Sequence, residues 1–233
     1  MIFLRSLIFF LAKAIMTIPF SLLSVLIFPL PAMARYRFIS QWSGIVDWLA
    51  RVICGITYRV EGLENLPSEP AVILSKHQSA WETIVFQQIF PPLSFVLKKN
   101  LLYIPFFGWG LALFSPIAID RAAGREALKQ IETQGRARLK SGFWVLIFPE
   151  GTRVEPGEAG RFQVGGAFLA VKAGVSVVPV AHNAGRYWPK NGFLKYPGEI
   201  VVRIGKPIST TDRKAAQVLA ECENWIVNAM HDL

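Results

Sequence analysis

Ala71-Val72-Ile73-Leu74-Ser75-Lys76-His77-Gln78-Ser79-Ala80-Trp81-Glu82 is the stretch on which the reading of this chain turns. Its first four residues are a short apolar run of the kind found in a strand buried on both faces. Ser79 to Glu82 then has the form of a capping box, with Ser79 as N-cap and Glu82 at the third helical position. A strand followed at once by a helix start is the unit of an α/β fold. Ligand sites in open α/β sheets gather at the carboxyl ends of strands, where Ser75-Lys76-His77 stands.

The same alternation extends outward. Residues 56–60, 71–74, 94–97, 143–148, 175–180 and 200–204 read as strands, and helices are predicted over 80–90, 122–140, 163–173 and 211–231. Gly174 is placed to end the third of these helices. The predicted class is α/β, a mixed, largely buried β-sheet flanked by helices, preceded by an N-terminal hydrophobic, membrane-associated helical segment. The boundary is expected near residues 54–62, dividing a segment 1–55 from an α/β domain 56–233.

The chain has 233 residues, enough for one substantial core plus an appendage. It is 52% hydrophobic and only 18% charged, greasier than an ordinary soluble domain. The formal charge of +9 suggests an anionic partner. Nucleic acid fits poorly, because the Lys and Arg residues are scattered and form no binding signature. Cys54 and Cys222 lie far apart, match no metal spacing and read as idle or packed thiols in a reducing compartment.

From Ser6 to Ala34 the only charge is Lys13, and Ala14 to Ala34 is a run of 21 uncharged residues. Such a run is just long enough to cross about 30 Å of hydrocarbon. Pro19, Pro29 and Pro31 argue for a helix broken near its proline-containing end. Ile39, Trp42, Val46, Leu49 and Ile53 then recur at helical spacing, which predicts a helix lying in the headgroup region. The competing reading is a cleavable signal peptide ending at Ala32-Met33-Ala34, although the apolar stretch is long for one.

His77 and Glu82 would diverge by about 140° on one continuous helix. They converge if His77 sits in the loop and Glu82 in the first helical turn. A carboxylate bonded to one imidazole nitrogen fixes the tautomer and leaves the other nitrogen free to take a proton. On these residues alone, an ordinary helix cap and a loop histidine remain the alternative.

Downstream, the strand-like Phe143 to Phe148 is broken by Pro149-Glu150-Gly151-Thr152-Arg153. A Gly-Thr turn there can present backbone N–H groups to an anion, and Arg153 adds a planar fork suited to phosphate. A surface turn with a solvated arginine is the competing account. No Gly-x-Ser-x-Gly elbow occurs, so a serine nucleophile of that type is not indicated.

His77-Gln78-Ser79-Ala80-Trp81-Glu82 and Phe148-Pro149-Glu150-Gly151-Thr152-Arg153 together resemble the glycerolipid acyltransferase family, the 1-acylglycerol-3-phosphate acyltransferases above all. The similarity runs from about residue 60 to 185. Lys98-Lys99-Asn100-Leu101 with Pro105 and Gly108, Ile119-Asp120-Arg121, and Val178-Pro179-Val180 are similar to the family's further motifs. The resemblance implies His77 as general base with Glu82 as its partner. It implies Lys98, Arg121 and Arg153 as phosphate ligands, and Glu150, Gly151 and Thr152 as residues shaping the glycerol site. Glu82 in place of the commoner Asp, Asn100 in place of Glu and Gln163 in place of Lys depart from the pattern. His182, after the fourth motif, could line the site, although a polar loop residue is the plainer account. His231, near the terminus, is assigned no role.

That resemblance implies an enzyme, with residues 56–233 as its catalytic domain. It would transfer a fatty acyl group from acyl-CoA or acyl carrier protein to the sn-2 hydroxyl of 1-acylglycerol 3-phosphate (lysophosphatidic acid), giving phosphatidic acid. The expected partners are a lysophospholipid acceptor, the thioester donor and a membrane bilayer, with no nucleic acid. No cofactor or metal is called for. Membrane association at the cytoplasmic face of the inner or plasma membrane is expected. The alternatives are acylation of another lysolipid, such as lyso-ornithine lipid, hydrolysis with the same pair acting on water, and a non-catalytic membrane lipid-binding protein.

Overall fold

The computed structural model describes residues 1–233 apart from Ala159 and the Arg121 side chain. Seven strands form one sheet in the order β1-β7-β6-β2-β5-β3-β4. They are β1 (Ile56–Glu61), β2 (Val72–Ser75), β3 (Leu93–Lys98), β4 (Ile117–Ile119), β5 (Trp144–Ile147), β6 (Val177–His182) and β7 (Gly198–Ile204). Strands β6, β2, β5, β3 and β4 run parallel to one another. β7 is antiparallel to β6 and parallel to β1, which makes the sheet mixed as expected. β2 and β5 are buried along their whole length, the burial that their unbroken apolar runs predicted.

Helices cover both faces. On one side Ile73, Leu146, Val178 and Val202 pack with Val85 and Phe86 of α3 (Trp81–Ile89) and with Val46 and Leu49 of α2 (Ala32–Leu49). Phe9 of α1 (Ile2–Ile27) joins that cluster. On the other side Val72, Leu74, Val145 and Ile147 meet α5 (Arg125–Lys140), α6 (Gly165–Ala173) and α7 (Ala215–His231). Gly174 ends α6 in the left-handed conformation, φ 69°, which glycine adopts without steric cost. α4 (Phe107–Leu113) and the three-residue β4 went unmarked in the sequence. Gly108 and Gly110 depress the helical signal of the first, and the second is too short to show a period.

The amino-terminal region departs from expectation in one respect. α1 does break at Phe28–Pro31, and Pro19 stays inside it. The stripe Ile39, Val46 and Leu49 on α2, however, is buried in protein, so it does not rest on headgroups. Tyr36 donates to Gln87 Oε1 on α3 at 2.5 Å, and the Trp42 indole donates to Thr17 Oγ1 on α1 at 3.1 Å. The periodicity was real, but its partner is the rest of the molecule.

α1 carries its polarity inside out. Its buried residues are Ser6, Phe9, Ser21 and Ser24. Phe3, Leu4, Ile8, Phe10, Leu11, Ile15, Ile18, Leu22 and Leu26 are exposed. Among the described residues α1 is the one helix long and apolar enough to cross a membrane, with a mean hydropathy of 2.0 and only 11% of that window buried. Cys54 and Cys222 are both buried free thiols.

Candidate active site

Parallel neighbours end at the same edge of a sheet. β2 lies between β6 and β5, with Leu74 beside both Pro179 and Ile147. The segments leaving these three strands, at Ser75–Glu82, His182–Gly185 and Phe148–Arg153, therefore meet.

His77 and Glu82 do converge. His77 Nδ1 lies 2.8 Å from Glu82 Oε1, and the same oxygen accepts the backbone N–H groups of Gln78 at 2.8 Å and Ser79 at 2.7 Å. The capping box forms in altered shape, because Ser79 Oγ accepts from the Trp81 amide at 3.0 Å and α3 begins at Trp81. The carboxylate that meets His77 also caps the helix start, so the two accounts of Glu82 are geometrically compatible. Burial alone would raise this carboxyl. The charges that His182 and His77 carry when protonated, with hydrogen bonds from His77 and the Ser79 amide, hold it below the ordinary carboxylate value. With Nδ1 bonded to a carboxylate, Nε2 is the open ring nitrogen. The imidazole is stacked on Phe148 with ring centroids 3.8 Å apart, which fixes its plane.

Glu150 ties the second motif to the first. Its Oε2 accepts the His77 amide at 2.8 Å, and its Oε1 takes the Lys76 ammonium in a buried ion pair. Burial pushes the Glu150 carboxyl up, opposed by the Lys76 charge and by the His77 amide. Val154 N–H donates to the His77 carbonyl at 2.8 Å, so the loop is clamped through its backbone on both sides. Gly151 closes the turn with φ 68° and donates to the Phe148 carbonyl at 3.0 Å.

A cavity of about 940 Å³ opens beside His77. His77, Glu150, Gly151, Thr152, Arg153 and Gln163 line one part, and Phe95, Leu97, Leu111, Phe114 and Ile131 form an apolar body. Arg153 Nε is buried without a hydrogen-bond partner. Of the remaining expected ligands, Lys98 is exposed at the end of β3 and is not among the lining residues. The Arg121 side chain lies outside the described residues. Among the described residues no group of three or more His, Cys, Asp or Glu is placed to hold a metal.

Nothing local to His182 or Lys76 signals the contacts they make across the sheet. His182 is fully buried. Its Nε2 donates to the Lys76 carbonyl at 2.8 Å, and its Nδ1 accepts the Ala184 amide at 3.3 Å. These partners define a neutral imidazole, and burial lowers its pKa from 6.5 despite Glu82, whose Oε1 is 4.0 Å away. A histidine held neutral favours folding above pH 6.5 and loses that contribution as pH falls toward its depressed folded value. His182→Gln, which keeps an N–H donor, is expected to flatten the fall of the unfolding temperature between about pH 7.5 and 5. Parallel curves for the two proteins would remove His182 from the account.

The family model described as Acyltransferase matches residues 57–183, more than half of the chain. The chain belongs to the acyltransferase family. It is 51% identical to the 1-acyl-sn-glycerol-3-phosphate acyltransferase of Pseudomonas aeruginosa, over 99% of this chain and 91% of that protein. It is 31% identical to the enzyme of the same name from Saccharomyces cerevisiae, over 78% of this chain and 63% of that protein. Its fold is that of the 1-acyl-sn-glycerophosphate (LPA) acyltransferase PlsC from Thermotoga maritima, with a TM-score of 0.79, 22% identity and coverage of 98% of this chain and 94% of that chain. The two motifs flanking the cavity both lie inside the matched segment.

Proposed function

We propose that this acyltransferase moves a fatty acyl group from a thioester donor, acyl-CoA or acyl carrier protein, to the sn-2 hydroxyl of 1-acylglycerol 3-phosphate, yielding phosphatidic acid. The observation that carries this reading is the 2.8 Å His77–Glu82 contact on a cavity that Arg153 also lines. The names of the relatives supply the substrate class.

In the reaction His77 Nε2 takes the sn-2 hydroxyl proton as that oxygen attacks the thioester carbonyl. The tetrahedral species collapses, the C–S bond breaks, and the proton held on His77 passes to the departing thiolate. A thiol with a pKa of about 8.5 leaves without a strong acid, so one imidazole serves both transfers. Glu82 holds the ring and stabilises its cationic form. Arg153 receives the acceptor phosphate, and the apolar body of the cavity takes acyl chain. On the family resemblance Arg121 and Lys98 are further phosphate ligands in this reading, Lys98 from its exposed position at the end of β3, outside the cavity wall, while Glu150, Gly151 and Thr152 shape the glycerol end of the site.

The exposed apolar face of α1 supports residence at a bilayer, where acceptor and product both dissolve. We place the protein at the cytoplasmic face, with residues 1–55 as the membrane segment and 56–233 as the catalytic domain.

The test is a panel of lysolipids offered to purified protein with each thioester, radiolabelled phosphatidic acid being the product scored. Arg153→Ala is expected to lower kcat/KM for 1-acylglycerol 3-phosphate by roughly 10–100-fold, the value of one charge-assisted phosphate contact. Acylation that ignores the headgroup phosphate and survives Arg153→Ala would overturn the choice of acceptor.

A further inference from the structure

The only charge between Ser6 and Ala34 points into the protein. Lys13 lines the same cavity as His77 and Arg153, followed one and two helical turns later by Thr17 and Ser21. Since the outward face of α1 is apolar, this inward seam runs against the ordinary polarity of a surface helix. A snorkelling lysine would instead carry its head to water along the outer face.

Among the described residues the ammonium has no ion-pair partner. Its described contacts are the Phe9 and Trp188 rings, each centroid 5.7 Å from Nζ. Lys195 approaches the same indole at 5.0 Å and is held there by the carbonyls of Gly192 at 2.8 Å and Phe193 at 2.9 Å. A second, anchored cation repels Lys13 and offers it no bond. Among the described residues lining the cavity Glu150 is the only carboxylate, and Lys76 already occupies it. A half-buried cation without an anion is costly, and a ligand that supplies one recovers that cost on binding.

We infer that Lys13 is a binding residue for the phosphate monoester of the lysolipid acceptor, reached as the lipid passes from the bilayer along α1 into the cavity. The acceptor is favoured over the water-soluble donor because Lys13 belongs to the helix whose opposite face is exposed and apolar. The inference rests on the acceptor assigned above and adds to it a ligand outside the matched segment 57–183.

The experiment compares Lys13→Met and Lys13→Arg in detergent micelles with short-chain 1-acylglycerol 3-phosphate. Lys13→Met is expected to raise the acceptor KM about tenfold, the worth of one such contact, while kcat and the donor KM stay within about twofold. Lys13→Arg should bring the acceptor KM back to within about threefold. Lys13→Gln serves as a second neutral variant should the Met form fail to fold. Equilibrium binding of the radiolabelled lysolipid in a His77→Ala background separates this claim from the catalytic one. The dissociation constant should rise by the same factor there, whether or not the lipid is ever acylated. An unchanged acceptor KM and dissociation constant, or an effect confined to the thioester, overturns the assignment.

Discussion

Replacing His77 by alanine is expected to lower turnover about 10²–10⁴-fold, the usual worth of general-base assistance, with little change in fold or membrane association. The loop keeps its shape in that variant because its main anchors are backbone groups. The residue-77 amide still reaches Glu150, its carbonyl still accepts from Val154, and Glu82 still holds the amides of Gln78 and Ser79. What goes is the imidazole and its stacking on Phe148. A thermal unfolding curve and a vesicle sedimentation assay run beside the kinetics establish that the protein is intact. Turnover within tenfold of the parent would falsify the base assignment.

Glu82→Ala is expected to cost both activity and stability. One oxygen serves three donors, so its loss orphans two buried amides and frees the histidine ring. At about 1–3 kcal/mol for each unsatisfied buried amide, the destabilisation should reach roughly 2–6 kcal/mol, read from chemical denaturation. Activity should fall to within about tenfold of the His77→Ala level, and the double variant should be no worse than His77→Ala alone, because the pair acts as a unit. Glu82→Gln divides the two effects. It retains an oxygen for the amides but puts an NH₂ group where Oε2 is buried without a partner, and it removes the charge that stabilises imidazolium. Multiplicative losses in the double variant would show that Glu82 works independently of His77.

Strands β2, β3, β5 and β6 of the parallel core announced themselves because burial on both faces demands continuous apolar runs, whereas three-residue β4 is too short to do so. The His77–Glu82 pairing was open to argument from spacing, since a capping box dictates which residue lies in the loop and which in the first turn. The environment of that pair was not. His182 reads as an ordinary polar residue after a strand, yet the register of β6 against β2 carries it under the Lys76 carbonyl. Lys76 and Glu150 are 74 positions apart, and nothing local signals that they meet.

The amino-terminal helices α1 and α2 show the same division more sharply. Periodicity identified the apolar face of α2 but not what covers it, because lipid and protein select for the same side chains; only the packing of α3 and α1 against Ile39, Val46 and Leu49 distinguishes them. For α1, composition announced a helix suited to a bilayer and left the direction of its single charge open. Local chemistry is written in neighbouring residues and can be read from them. The company a side chain keeps across the sheet depends on strand register and helix packing, which arise only when distant segments are brought together.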